Sequence, residues 1–323
     1  MNLFWILLVA GALALIIRSN VVVSTGLSTT AIRGEFFNAF DATSTRFQDW
    51  STRIPSTGPS EKYRWLGTVP QMREWGSGRL AKGLRSESYD VENLKYEATI
   101  AVDRDEIADD QLGQIRIRVN ELAGRAATHK DYMIGQLLIN GATAGFKSYD
   151  GLTFFNALHV SGASGNQDNA LTPAAVAPTA PTTAEFRAAL SAAIAAILAF
   201  KDDQGEPMVL DADGLNCVVP PSMRTTALEA VNATIIANTS NVLVGAADVV
   251  AFPWLSTATT WYLLKTNGVV RPFIFQDREP IEFNALGEGS EEDFKREKFL
   301  YGVRARYRMT YGYWQYAVRN VFT

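Results

Sequence analysis

The chain has 323 residues, 47% of them hydrophobic and 20% charged, which is ordinary for a globular protein and enough for two modest domains. Its formal net charge of -4 argues against a dedicated nucleic-acid binder, which usually carries a basic excess. A single cysteine, Cys217, excludes an intrachain disulfide, and with only two histidines a zinc site is disfavoured. Because Cys217 lies in the apolar run 215–219, we interpret it as a buried small hydrophobe.

Residues 1–20 are unusually hydrophobic. An apolar run of 15 residues covers positions 3–17 and ends at Arg18, which is short of the ~20 residues needed to span a bilayer. No basic residue precedes the run and no convincing small-x-small cleavage site follows it, so it is a poor signal peptide. Three interpretations stay open: a membrane anchor, a hydrophobic arm buried against a neighbouring subunit, or residues that precede a true start at Val21 to Val23.

Residues 21–60 mix a weakly amphipathic stretch with serine, threonine and proline, which predicts a short helix followed by an extended arm. This arm has too little apolar surface to fold alone, so we expect it to pack on something else.

Basic and acidic residues are separated along the block 61–107. Six basic residues lie between 61 and 85, and nine acidic residues lie between 86 and 110. This pattern predicts a two-stranded excursion held by cross-strand ion pairs or by opposite charges on a neighbouring molecule. A solvated hairpin is the alternative.

Two helices follow. The longest is predicted over residues 110–140, where Leu112, Ile115 and Val119 begin an apolar stripe with spacings of three and four. Thr182 and Glu185 have the spacing of a capping box, which predicts a second helix that stops near residues 202–205.

The remaining chain is predicted to be mixed α/β. We expect a buried strand at 215–219, a short helix after Pro220-Pro221, and strands at 261–264 and 269–275 around an Asn267-Gly268 turn. The clearest strand signal is C-terminal, where alternate apolar residues from Val303 to Tyr311 face away from three arginines, Arg304, Arg306 and Arg308.

No group of residues points to catalysis, and we expect no enzyme activity, cofactor or metal. The acidic cluster 103–110 is interpreted as stabilising a helix N-terminus rather than binding a cation. His159 near Asp150 is interpreted as a structural hydrogen bond, since no nucleophile motif accompanies the pair. The arginine triplet could contact DNA phosphates or an acidic patch on a neighbour, and the acidic whole favours the neighbour.

Several segments form an ordered pattern: Tyr63-Arg64-Trp65-Leu66-Gly67, Met72-Arg73-Glu74-Trp75 with Arg79, the block Tyr89 to Gly113, Asp150-Gly151 through Phe154-Phe155 to His159, Val218-Val219-Pro220-Pro221 and Trp261-Tyr262-Leu263. In this order they resemble the major head subunits of Mu-like phages. The resemblance runs from about residue 21 to the C-terminus. Family members begin near what is Val21 here, which leaves residues 1–20 unmatched.

The resemblance implies the HK97-like major capsid fold, an α+β architecture with an N-terminal arm, an extended hairpin called the E-loop, a long spine helix, a peripheral β-sheet domain and an axial α/β domain. We therefore expect this division: hydrophobic leader 1–20, N-terminal arm 21–60, E-loop and flanking peripheral strands 61–107, spine helix and peripheral domain 108–182, axial domain 183–275, and return strands of the peripheral domain 276–323.

The resemblance also implies a major capsid protein that forms hexamers and pentamers of an icosahedral shell around phage double-stranded DNA. The implied location is the virion, after assembly in the host cytoplasm, and the implied partners are other copies, portal, scaffold and protease proteins, and a possible decoration protein, with no membrane. We expect the E-loop and the leader to be stabilised chiefly by other copies. Expected intersubunit contacts are Trp65, Arg73, Trp75, Arg79, Arg85, Glu87, Arg304, Arg306 and Arg308. An encapsulin-like compartment and a membrane-anchored protein that uses residues 3–17 are the alternatives.

Overall fold

The computed structural model describes residues 29–66, 89–108, 112–236 and 238–323. The expected leader 1–20 and residues 67–88 of the expected excursion lie outside these residues. Contacts divide the chain into two compact units. The described residues of the first unit fall within 29–42, 98–126 and 283–303, and those of the second fall within 43–97, 127–282 and 304–323.

The helices are α1 (Thr29–Ala42), α2 (Phe47–Trp50), α3 (Arg104–Ala108), α4 (Leu112–Asn140), α5 (Thr183–Ala199), α6 (Arg224–Asn232) and α7 (Glu291–Arg296). The strands are β1 (Ser51–Pro55), β2 (Ser60–Tyr63), β3 (Tyr89–Glu92), β4 (Leu94–Asp103), β5 (His159–Val160), β6 (Asn166–Gln167), β7 (Ala170–Leu171), β8 (Leu215–Val219), β9 (Ile235–Ile236), β10 (Thr239–Ser240), β11 (Asp248–Ala251), β12 (Thr260–Lys265), β13 (Phe273–Leu286), β14 (Lys298–Tyr311) and β15 (Ala317–Val321).

Both long helices that the sequence predicts are present. Helix α4 has 29 residues, about 45 Å at 1.5 Å per residue, and Ile115 and Val119 lie on its buried stripe. Helix α5 begins with the predicted capping box, in which Thr182 accepts a hydrogen bond from the Glu185 backbone N–H and the Glu185 carboxylate accepts one from that of Thr182. The acidic residues 105 and 106 lie in the first turn of the separate short helix α3, not of α4.

The second unit contains a five-stranded sheet with the strand order β11-β8-β12-β15-β7. Helices α5 and α6 pack on it, and the Phe186 ring of α5 lies 4.9 Å from the Trp261 ring of β12. Cys217 of β8 is fully buried in this sheet, and burial raises the pKa of its thiol. The interpretation of Cys217 as a buried hydrophobe is therefore confirmed.

The two strands predicted on either side of Asn267-Gly268 are present, with the second beginning at Phe273, but they do not pair with each other. Strand β12 pairs with β8 and β15, whereas β13 pairs in parallel with β1, beginning with Ser51 opposite Phe273. Every residue of β12 is buried, so this strand needs partners on both edges, and an adjacent local hairpin partner could supply only one. An Asn-Gly pair indicates that the chain turns and does not determine which strands pair.

A second sheet has four strands in the order β1-β13-β14-β4. The alternation predicted for its strand β14 is confirmed, because Val303, Ala305, Tyr307, Met309 and Tyr311 are all buried. Strand β15, which the sequence grouped with the return strands 276–323, lies in the five-stranded sheet instead.

Residues 29–60 of the predicted arm pack on other segments of their own chain. In the first unit, Phe36 is fully buried with its ring 5.0 Å from that of Phe283. In the second unit, Trp50 is fully buried, contacts the ring of Phe252 at 4.9 Å, and donates its indole N–H to Asn216 Oδ1 at 3.2 Å. A few large aromatic side chains bury enough surface to hold a segment whose overall amphipathicity is weak.

Within the residues that the structure describes, no helix is long and apolar enough to cross a membrane. The apolar run 3–17 lies outside that part of the chain.

Candidate intersubunit surfaces

The predicted excursion departs from an antiparallel pair of strands. Strands β2 and β3 pair with Tyr63 opposite Tyr89 and Ser60 opposite Glu92. One cross-strand ion pair joins them, with Lys62 Nζ 3.8 Å from Asp90 Oδ2 and both side chains more than half exposed. Such an exposed pair contributes little to stability, so the charge separation does not by itself hold this base together.

A buried polar network fixes the base of the excursion. Tyr63 donates its hydroxyl hydrogen to Gln276 Oε1 at 2.7 Å, and Gln276, which is fully buried, donates to Asn93 Oδ1 at 2.8 Å. Asn93 in turn donates to Ser56 Oγ at 2.8 Å. Burial raises the pKa of Tyr63, which keeps its hydroxyl protonated as a donor. The sequence offered no signal for this network, because Gln276 lies more than 180 residues along the chain from its partners Val91 and Asn93.

Glu61 closes the turn that leads into β2. Its carboxylate accepts hydrogen bonds from the Ser56 hydroxyl at 2.8 Å and from the backbone N–H groups of Thr57 and Gly58. These bonds, that from Ser56 above all, lower the pKa of Glu61. The base of the excursion is therefore held by hydrogen bonds to other segments of its own chain.

Of the expected contact residues on the excursion, only Trp65 lies in the described part of the chain. Its half-buried ring meets the rings of Tyr63 and Tyr313 edge-on, with centroids 6.2 and 6.1 Å away. Part of the indole therefore packs on its own chain, and a contact with a neighbour stays a prediction. The others, Arg73, Trp75, Arg79, Arg85 and Glu87, lie outside the described residues.

The three arginines of β14 have partners in their own chain. Arg304 pairs with Glu279 at 2.8 Å, Arg306 approaches the same carboxylate at 3.7 Å, and Arg308 hydrogen-bonds the Tyr96 hydroxyl. These partners come from neighbouring strands β13 and β4, which the sequence does not show to be adjacent. These pairs partly neutralise the positive charge of this strand face. Contact of the arginines with another copy stays a prediction.

His159 is a buried structural residue. Its Nδ1 lies 2.5 Å from Asp150 Oδ2, and its ring stacks on Trp314 with centroids 4.1 Å apart and planes inclined by 7°. The ring is fully buried and cannot meet a dissolved substrate. The interpretation of the His159–Asp150 pair as a structural hydrogen bond is confirmed.

Sequence reasoning missed Asn169, which is also fully buried. Its side-chain amide donates to the carbonyls of Phe154 at 2.9 Å and Ala317 at 3.2 Å, and its Oδ1 accepts the backbone N–H of Asn156 at 2.8 Å. One amide therefore joins the loop around residues 154–156 to the start of β15.

A cluster on α4 was missed as well. Lys130 Nζ lies 4.7 Å from the ring centroids of both Phe47 and Phe275, a cation–π arrangement. The neighbouring His129 places its Nδ1 2.6 Å from the Tyr307 hydroxyl oxygen. Burial lowers the pKa of both Lys130 and His129.

Comparison with known proteins gives a consistent result. The family described as Mu-like prophage major head subunit gpT matches residues 27–184, 179–255 and 256–321. The Mu-like prophage FluMu major head subunit of Haemophilus influenzae is 25% identical over 275 residues, which are 84% of this chain and 65% of that protein. The major capsid protein of Escherichia phage Mu is 24% identical over 290 residues, which are 90% of this chain and 70% of that protein. The chain thus spans less than two thirds of the length of the Haemophilus relative.

Among solved structures, the procapsid of bacteriophage JBD30 matches with a TM-score of 0.54 and 24% identity, over 90% of this chain and 73% of that chain. At this identity the likeness bears on the fold alone. It confirms the α+β, HK97-like capsid fold that the sequence resemblance implies.

Proposed function

Because this chain belongs to the family of Mu-like prophage major head subunits, we propose that it is a major capsid protein whose copies build the shell of a phage head. The observation that carries the proposal is the family match, which runs through nearly all of the chain from residue 27 to residue 321. The fold supports it, since the chain resembles subunits of phage capsids in three dimensions as well.

The shell we propose is icosahedral, is built from hexamers and pentamers, and encloses double-stranded DNA. Rings of identical subunits need heterologous contacts, in which one surface of a copy meets a different surface of the next. An overall charge of -4 suits a wall that encloses DNA without gripping it. The further partners we propose are portal, scaffold and protease proteins, and a decoration protein. The proposed location is the virion, after assembly in the host cytoplasm, and the proposed role is structural, not enzymatic.

The two sheets suggest how the proposed domains are arranged along the chain. We assign the five-stranded sheet with α5 and α6 to the axial domain, and the four-stranded sheet with α4 as spine helix to the peripheral domain. Because β15 pairs with β12 and β7, this division places residues 317–321 in the axial domain.

The experiment that tests the function is assembly of the purified full chain. We expect large particles in sedimentation velocity without detergent, and closed shells in negative-stain electron microscopy. A chain that stays monomeric at high protein concentration, or that fractionates with membranes, would contradict the proposal. Shells that retain a specific protein cargo instead of DNA during phage growth would contradict the proposed contents.

A further inference from the structure

The chain contains two Asn-Gly pairs, and the structure places them in different surroundings. Asn140 is the last residue of α4, whereas Asn267 lies two residues beyond β12, outside any helix or strand. An asparagine followed by glycine is open to attack by its own backbone, because glycine has no Cβ to hinder the approach of its nitrogen to the asparagine side chain. The surroundings of each pair decide whether that approach is possible.

Hydrogen bonds and packing hold the Asn140-Gly141 pair in place. The side-chain amide of Asn140 donates to the backbone carbonyl of Gln136 at 2.9 Å. The Gly141 carbonyl accepts the backbone N–H of Phe155 at 2.9 Å, and a Cβ on Gly141 would lie 2.7 Å from the Phe155 ring. At the end of an α-helix the backbone N–H points at the carbonyl four residues back. The Gly141 nitrogen is therefore held away from Asn140 Cγ.

The Asn267-Gly268 pair lacks these restraints. Asn267 is exposed, and within the part of the chain that the structure describes no carbonyl accepts the Gly268 backbone N–H. The Asn267 side chain lies against the backbone of Gly214, where an added Cβ would be 2.8 Å from Asn267 Cγ. The pair is thus reachable by water and base, with a glycine nitrogen that is free to move.

We propose that Asn267 is a site of spontaneous covalent modification, at which attack by the Gly268 nitrogen converts the side-chain amide to a carboxylate. The deprotonated nitrogen of Gly268 bonds to Asn267 Cγ, the bond from Cγ to the amide nitrogen breaks, and that nitrogen leaves as ammonia with protons from water. The product is a succinimide ring. Water then opens the ring at either carbonyl, which gives aspartate or isoaspartate. One water is consumed and one ammonia is released, with no oxidant or reductant.

The conversion should weaken the contact between the segment around Asn267 and the turn at Asp211. Hydrogen bonds from Lys265 above all, and among others from the Asn267 amide, lower the pKa of Asp211. A carboxylate at position 267 has no hydrogen to donate and repels the Asp211 carboxylate. Isoaspartate also adds an atom to the backbone beside Gly214, where the two segments are already in contact.

The test is peptide mapping by mass spectrometry of the purified full chain after incubation at neutral and at mildly alkaline pH. We expect both aspartate and isoaspartate at position 267, formed faster at the higher pH because the attacking nitrogen must be deprotonated. Asn140 is the matched internal control, and in the folded chain it should convert more slowly by about ten-fold or more, because its glycine nitrogen is misplaced for attack. In urea the two sites should convert at similar rates.

Two variants separate the chemistry from its consequence. Gly268→Ala should slow the conversion of Asn267 in urea as well as in the folded chain, because a Cβ hinders the approach of the nitrogen. Asn267→Asp should unfold at a lower urea concentration than Asn267→Gln, because only the aspartate places a second carboxylate beside Asp211.

Equal rates at the two asparagines of the folded chain, no conversion at Asn267, or aspartate formed without isoaspartate would overturn the proposed site. Equal urea midpoints of Asn267→Asp and Asn267→Gln would overturn the proposed loss of contact with Asp211. The capsid function is tested separately by assembly and does not depend on these outcomes.

Discussion

Asp131 in the middle of α4 caps the short helix α2 from 84 residues away. Its Oδ1 accepts the backbone N–H groups of Arg46 at 3.0 Å and Phe47 at 2.7 Å. The carboxylate is buried, and burial raises its pKa while the two backbone hydrogen bonds oppose that rise. Through this one side chain, the arm, which the sequence predicts to be too poor in apolar surface to fold alone, is tied to the long helix of its own subunit.

Replacing Asp131 with alanine should destabilise the protein by about 1–3 kcal/mol, because two backbone donors lose their acceptor in a mostly buried setting. Asp131→Asn keeps one acceptor oxygen and should lose less. The measurement is urea unfolding of the unassembled subunit. Asp49→Ala is the control, since the Asp49 carboxylate forms an exposed pair with Arg46, and its effect should stay within about 0.5 kcal/mol. Equal effects of the two alanine variants would contradict the capping role.

His129 should make stability depend on pH between neutrality and mild acid. Burial, and secondarily the charge of Lys130, hold the pKa of His129 below its usual 6.5, so the unfolded chain binds this proton at a higher pH than the folded one. The contribution of His129 to the free energy of unfolding is therefore fully present above about pH 6.5. It is lost as the pH falls from there toward the lowered pKa of the folded state.

The comparison that isolates this residue is His129→Gln, whose side chain can still hydrogen-bond the Tyr307 hydroxyl. We expect the urea midpoint of the wild type to fall more steeply between pH 7 and 5 than that of the variant. Parallel pH profiles would show that His129 titrates alike in the folded and unfolded states.

Two buried asparagines should respond oppositely to the same substitution. Asn169 is fully hydrogen-bonded, whereas neither Asn320 Oδ1 nor Asn320 Nδ2 has a hydrogen-bond partner among the residues that the structure describes. Asn169→Leu leaves carbonyls and an N–H unpaired and should cost about 2–4 kcal/mol. Asn320→Leu removes an unpaired amide and should be neutral or stabilising by up to about 2 kcal/mol. Calorimetry measures the unfolding of both variants. A larger loss of stability in Asn320→Leu than in Asn169→Leu would contradict the assigned hydrogen bonds.

Two glycines of α4 differ in the space around them. A Cβ at Gly135 would lie 2.7 Å from Trp254 Cβ, whereas a Cβ at Gly124 would have, apart from its own helix backbone, no atom of the described residues within 4 Å. Gly135→Ala should therefore destabilise by about 1–3 kcal/mol through overpacking. Gly124→Ala should stabilise by about 0.5–1 kcal/mol, because alanine is the better helix former. Thermal unfolding of the two variants checks the sign, and the same sign for both would contradict the assigned packing.

The excursion should be dispensable for folding and required for assembly. Replacing residues 68–86 with a short Gly-Ser linker leaves β2 and β3, with Tyr63 opposite Tyr89, able to close as they do now. We expect soluble protein with a near-native thermal midpoint and no shells in negative-stain microscopy. Normal shells from this deletion would show that the contacts expected of Trp75 and its charged neighbours are not needed.

Local features of the chain could be read without the fold. Three such features are the apolar stripe of α4, the Thr182 and Glu185 capping box and the alternation along β14. Each is defined by residues that lie close together in the sequence, and each appears where the sequence predicts it. The resemblance to Mu-like head subunits was also readable, since it rests on short motifs in a fixed order.

Tertiary structure alone decided which distant segments meet. Strand β12 pairs with β8 and β15 and not with β13, which follows it in sequence. Asp131 accepts hydrogen bonds from the arm, and Glu279 pairs with Arg304 and approaches Arg306. Periodicity reports only which face of a segment is buried. The partner on that face depends on satisfying backbone edges and buried polar groups across the whole chain, and no short window of sequence contains that information.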